Sequence, residues 1–332
     1  MFEQAFGLCG VKPGDACAVL SETLTRPELP ALAMLALQRM GARPFQIVLP
    51  ARPLTAPVPV RSTGASDAIG SLQPVVGALA ACTFVADCTV EGLQHAVELP
   101  QILAGGARVL AISHEHPEIL ERCLPVAADE APVREAMRRL KRAREMLVTS
   151  DAGTELHIAL AGARIGGVWG FTRKPGTLSH WPGGLVLAFP TAGSVNGRLV
   201  LDRGDVNLTF KRYLQDPVRL LIENDRAVAV DGDSPDADLM RGYLEAWGDP
   251  DAYAVSHVGW GLNRRARWDA MSFYDKADFN GTELRAFAGN FLYSTGANEV
   301  ADRHTLGHFD LPLRHCTVAL DGDLVVDRGR LV

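Results

Sequence analysis

ACAVLSETLTRPELPALAMLALQRMGARPFQIVLP, residues 16–50, decides how the first half of the chain folds. ACAVL is a short apolar run that follows the turn KPGD, and it reads as a strand. RPELPALAMLALQRMGA (26–42) has helical periodicity, with Gly41 as a late stop signal. FQIVLP (45–50) is then the next strand. A Pro- and Ser-rich stretch (51–68) follows, and the alternation resumes with GSLQPVVGALAAC as helix and TFVADCT as strand. VEGLQHAVELPQILAGG reads as helix, RVLAIS as strand and HPEILERC as helix. Strands separated by helices predict a parallel sheet with helices packed on it.

The character changes near residue 147. Short β-rich runs dominate from there: TELHIALAGARIGGVWGF, GGLVLAFP, GRLVLD, VRLLIENDRAVAVDG, YAVSHVGWGL and CTVALDGDLVVDRGRLV. Helix is expected only in DADLMRGYLEAW and around Asn280–Phe287, and DGD (321–323) reads as a hairpin turn. The expected organisation is therefore α/β, with an N-terminal domain over 1–147 and a β-rich α+β domain over 148–332. The basic run RRLKRAREM (138–146) would be a solvated helix face connecting them.

A chain of 332 residues suits two domains. Its net charge of −6 offers no global basic field for nucleic acid. No apolar run reaches membrane-spanning length, and MFEQAFGLCGVKPGD lacks a basic start and a continuous apolar stretch. The six cysteines contain no CxxC and mostly sit in apolar surroundings, so buried free thiols and a cytoplasmic location are expected. No GxxxxGK[ST], GxGxxG after the first strand, GxSxG or HExxH is found, which counts against a nucleotide enzyme, a serine hydrolase and a helical zincin.

The nine histidines hold the remaining chemistry. In the β-rich half, His257 in SHVGWGLN and the pair His308 and Asp310 in GHFDLP form the best candidate metal set. Residues two apart on an extended segment point to one face. Two imidazoles and a carboxylate leave coordination positions open, which suits non-haem Fe(II) and also permits Zn(II). Spacing by itself leaves core or turn roles open for each histidine. His114 and His116 read as helix-opening residues, His157 as an exposed strand residue and His315 as a solvated one.

VKPGD, SDAGTEL, SHWPGG, SHVGWGLN and HFD, in this order, resemble the thermophilic metallo-aminopeptidase superfamily over essentially the whole chain. Within it, the chain is most similar to the 2,5-dihydroxypyridine 5,6-dioxygenases. TVEGLQHAVELPQILAGGARVLAIS, HVGWGLN and RAFAGNFLYSTGANEVADRHTLGHFDLPLRHCTVALDG carry that likeness. The aminopeptidases have metal-binding glutamates at the positions of His257 and Gly184, and a metal histidine near Leu292. Only the final His-x-Asp is kept, as His308 and Asp310. Losing carboxylates removes the charge that holds a second dication. The resemblance thus implies a mononuclear site of His257, His308 and Asp310, with His304 outside it.

The resemblance further implies an Fe(II) cofactor, O2 and a small hydroxylated heteroaromatic as substrates, N-formylmaleamate as product and self-association. A ring hydroxyl then needs a base, and His95 is the first candidate and His180 the second. Trp181 is expected to stack on the ring, and Ser294 to hydrogen-bond substrate or oxygen. The competing readings are a hydrolase using the same ligands to activate water and a metal-free binding protein.

Overall fold

The computed structural model describes residues 1–53, 66–278 and 280–332. Most of the Pro- and Ser-rich stretch over 51–68 therefore lies outside the described residues.

The expected parallel sheet is present. Its strands run in the order Arg43–Leu49, Ala16–Glu22, Phe84–Asp87, Arg108–Ala111 and Leu178–His180, all parallel. Alternation along Ala16–Glu22 shows why it is covered on both faces. Cys17 and Val19 point into a cluster with Phe6, Leu29, Leu37 and Trp181, whereas Ala18 and Leu20 point into one with Val76, Leu79 and Ile102. Helices Glu28–Arg39 and Gln73–Ala80 supply these two layers.

The expected helix over VEGLQHAVELPQILAGG is only partly formed, because it begins at Leu99. Pro100 stands in the first turn of that helix and would break one continued from further upstream, and Asp87 at the end of its strand ties down the chain ahead of it. The buried carboxylate accepts the backbone N–H of Thr89 at 3.0 Å and of Leu93 at 2.8 Å. Those bonds hold residues 89–93 in a loop. His95 accordingly lies in irregular backbone ahead of the helix.

The β-rich half forms two larger antiparallel sheets. One has eight strands and ends at the terminal hairpin and Arg330–Leu331. The other has five, in the order Phe309–Leu313, Phe291–Thr295, Val255–Gly261, Leu185–Phe189 and Arg164–Val168. Both contribute to one core, with Met146, Val148, Leu156 and Leu199 from the first and Val258, Trp260, Tyr293 and Leu311 from the second. Helices Pro235–Trp247 and Thr282–Ala286 match the two expected there.

A division into two units near residue 147 remains our proposal, and the chain crosses it more than once. Glu145–Thr149 is a strand of the eight-stranded sheet, and Leu178–His180 returns to the parallel one. The basic helix Glu130–Arg142 packs on the second unit, with Val133 and Met137 against Gly167. Between the units, buried Glu115 accepts the N–H of Thr282 at 2.7 Å, and Arg122 pairs with buried Glu283 at 2.7 Å. No helix among the described residues is long and apolar enough to cross a membrane.

Two outcomes are expected. A methyl group at Gly259 would lie 1.9 Å from the Val186 carbonyl oxygen on the neighbouring strand. Gly259→Ala should cost ~3 kcal/mol, measured by chemical denaturation of the metal-free protein. Burial, reinforced by Glu283, pushes Glu115 from its ordinary 4.5 up to about 7. The folded state therefore holds the extra proton. This contribution is full below pH 4.5 and is lost as the pH rises through 7. Glu115→Gln should flatten the fall in melting temperature across that window; an unchanged slope would show that other groups cause it.

Candidate metal centre

Register builds the site. Within the five-stranded sheet, His257 pairs with Ser294 and Ser294 with Asp310, so these three stand in one row across adjacent strands. Their neighbours Val258, Tyr293 and Leu311 point the other way, into the core. The row therefore occupies the face that looks toward the parallel sheet.

A β-bulge sets His257 in that row. Pairing shifts between Val255 and His257, leaving Ser256 as the additional residue. The Ser256 hydroxyl donates to the Ala297 carbonyl at 2.5 Å and lies 3.0 Å from His257 Nδ1. With the hydroxyl proton committed, Nδ1–H donates to Ser256 and Nε2 keeps its lone pair. This is the tautomer a metal ligand needs. His308 is fixed through its backbone, because the Tyr243 hydroxyl accepts from its N–H at 3.1 Å and donates to its carbonyl at 2.7 Å.

His257, His308 and Asp310 are all buried, and one ligand atom from each lies within 4.8 Å of the others. Asp310 Oδ1 is 3.3 Å from His308 Nε2 and 3.7 Å from His257 Nε2, and it accepts the Ser294 hydroxyl. Oδ2 is bonded by Arg285 Nε. Burial would push the Asp310 carboxyl up, but Arg285 and then His308 outweigh it and hold the group well below the carboxylate range. Burial presses His257 down to about 3, against the pull of Asp310. An anionic oxygen and two buried imidazoles, that of His257 biased to the neutral form, are a donor set that fits a divalent cation with open positions.

The site opens on a cavity of about 440 Å³ lined in part by His95, His180, Phe189, Arg285 and the three candidate ligands. The His95 ring stacks on His257 at 5.8 Å and lies 5.1 Å from that of His308. Burial, then His308, holds His95 well below its ordinary value. His180 Nε2 is 2.8 Å from Gln94 Oε1, and burial, then Arg285, lowers it to about 4. Ser294 is in the row already described.

Trp181 is a correction. Its indole is wholly buried in the core beside the parallel sheet, edge-on to Phe2 at 5.2 Å. Its N–H bonds the carbonyls of Leu120 and Cys123, each at 3.1 Å. It is not among the residues lining the cavity and is not available to stack on a ring there. His304 and His157 have mostly exposed side chains, and His116 caps the helix Pro117–Arg122. Gly184, where the resemblance implies a glutamate in the peptidases, has no space for any side chain: its φ is +98°, and a Cβ there would lie 2.6 Å from Asn263 Cβ.

Sequence reasoning missed Ser256, Gln94 and Arg285. The first two adjoin histidines that had been singled out, but nothing local reveals a bulge or a cross-strand partner. Arg285 sits in the helix Thr282–Ala286 and reaches Asp310 only through the fold.

The family model of NicX, 2,5-dihydroxypyridine 5,6-dioxygenase, matches residues 1–332. The chain is 37% identical to the 2,5-dihydroxypyridine 5,6-dioxygenase of Pseudomonas putida KT2440, with 100% of this chain and 95% of that protein covered. The solved structure of the 2,5-dihydroxypyridine dioxygenase from the same organism has a TM-score of 0.94 at 37% identity, covering 100% and 95% of the two chains. Wild-type AmpT from Thermus thermophilus has a TM-score of 0.63 at 15% identity, covering 100% and 98%, a likeness of fold alone. With a full-length family match and a 37% identical relative, the chain belongs to the 2,5-dihydroxypyridine 5,6-dioxygenase family.

Proposed function

We propose that the chain is a non-haem Fe(II) dioxygenase that opens 2,5-dihydroxypyridine, or a close hydroxylated heteroaromatic, between C5 and C6. Both atoms of O2 would enter the product N-formylmaleamate. The observation that carries this reading is the buried convergence of His257, His308 and Asp310 at the wall of one cavity. Family membership supports oxidative ring cleavage with a metal cofactor and does not favour the hydrolase reading.

His257, His308 and Asp310 would hold the iron, which when bound supplies the electronic route between ring and O2. The protein's own part is to orient the ring and manage its protons. His95 is the proposed base: its buried imidazole is biased toward the neutral form beside the ligand histidines and can accept the ring hydroxyl proton on a free nitrogen. His180, tethered to Gln94, is the second candidate. Ser294 already donates its proton to Asp310, so it offers a ligand only the acceptor side of its oxygen. Apolar walls from Leu185, Leu187 and Phe189 limit water near the ring. A cytoplasmic location is supported by six buried, unpaired cysteines, and self-association by the strand edge at Arg330–Leu331.

Two measurements test this. Anaerobically Fe(II)-loaded protein should consume one O2 per 2,5-dihydroxypyridine lost, and Zn(II)-loaded protein none. Asp310→Ala and His257→Ala should lower iron content and uptake together, the uptake by at least ~10³-fold. Iron-loaded protein without uptake would send the search to other rings. Separately, His95→Gln should lower kcat ~10²–10³-fold with iron retained, and His180→Gln by less. The reverse order would move the base to His180.

A further inference from the structure

The Arg285 guanidinium is held at three points. Nε donates to Asp310 Oδ2, and Nη1 donates to Asn280 Oδ1 at 2.9 Å and more weakly to Thr282 Oγ1 at 3.4 Å. Nη2 has no acceptor among the described residues, and Arg285 lines the cavity with its side chain 12% exposed. One edge of the guanidinium is therefore committed to Asp310, while Nη2 is left over on a side chain that lines the cavity.

The consequences follow from geometry and charge. Oδ1 of Asp310 faces both candidate ligand histidines, whereas Oδ2 is occupied by Arg285. The carboxylate can then offer a cation one oxygen only, which keeps coordination positions open. A carboxylate would otherwise neutralise one charge of a dication, and the guanidinium restores that charge to the pocket. A pocket of two neutral imidazoles, one carboxylate, one dication and one guanidinium is strongly positive, and it favours a ring that carries an oxygen anion. A planar donor fork is suited to serving two acceptors at once, which an ammonium does less well.

We propose that Arg285 is the positioning and selectivity residue of this site: it restricts Asp310 to one-oxygen ligation and presents Nη2 to a ring oxygen of the substrate. This rests on the metal and ring assignment proposed above. It adds that hydroxylated rings are selected over unsubstituted ones by a residue outside the ligand set.

The test uses Zn(II)-loaded, full-length protein, so oxygen chemistry plays no part. Zn(II) affinity is read by competition with a chromogenic chelator, and affinities for 2,5-dihydroxypyridine and for pyridine by anaerobic titration. In Arg285→Met, the freed Oδ2 and lost positive charge should tighten Zn(II) binding roughly tenfold. Affinity for 2,5-dihydroxypyridine should fall ~10–100-fold, with pyridine little changed. Arg285→Lys should keep Zn(II) affinity near the wild type and recover only part of the ring preference. A merely structural brace would weaken Zn(II) and both rings together and lower the melting temperature. That result, or no change in Zn(II) affinity or in ring preference, overturns the proposal. The zinc arm judges Arg285 even where the wild type binds neither ring, an outcome that would count against the proposed substrate instead. Absent O2 uptake by the iron form, with the zinc results as expected, would likewise count against the proposed reaction and leave the Arg285 assignment standing.

Discussion

The Asp310 carboxylate is the constraint on which the rest of the site depends. A buried carboxylate is costly unless charge and hydrogen bonds compensate it. Here the compensation comes from three elements at once: Arg285 from a short helix, Ser294 from the adjacent strand and His308 from the approach to its own strand. Arg285 first, then His308, hold it in the charged form against burial. The strand register, the placement of the helix and the loop before Phe309 are thus tied to one group of oxygen atoms.

The surrounding structure is arranged to keep that row in place. The strand Val255–Gly261 is buried throughout, with Val258 and Trp260 in the core and His257 on the opposite face. The Ser256 bulge gives that strand an extra residue next to the site and binds the imidazole nitrogen that faces away from it. Glu115 and Arg122 then reach across from the first unit to hold the segment that carries Arg285. Packing between the two halves and ligand geometry are therefore one problem here. A weakened contact at Glu283 would be felt at Asp310 through only a few residues.

The fold is shared with AmpT, and the sequence resemblance to the metallo-aminopeptidases implies a difference in metal chemistry. The resemblance implies glutamates in the peptidases at two positions occupied here by His257 and Gly184. Gly184 lies so close to Asn263 that no ligand side chain fits, and among the described residues one group of three potential ligands converges. Fewer carboxylates mean less negative charge and no bridge for a second dication. Room and charge both support the proposed single metal with open positions.

Much of this was legible in the sequence. Alternating apolar runs and helical periodicity imply the parallel sheet, and the alternation in SHVGWGLN and HFDLPL places His257 and Asp310 opposite the apolar residues of their strands. Local chemistry is sufficient there, because period-two alternation and helical spacing are properties of neighbouring residues. Departures occurred where a distant group intervened. Asp87 holds the backbone of residues 89–93 in a loop, and His95 just beyond it lies outside the helix, at the cavity wall. Trp181 follows a candidate base in sequence, yet it stands just past the strand Leu178–His180 with its side chain in the core, where it meets Leu120 and Cys123. Arg285 and Ser256 become part of the site only through pairings set by tertiary contacts. The sequence by itself determined which residue types were present and which face each strand shows. The tertiary structure decided which of them meet, because a hydrogen bond or a ligand set depends on distance in space and not along the chain.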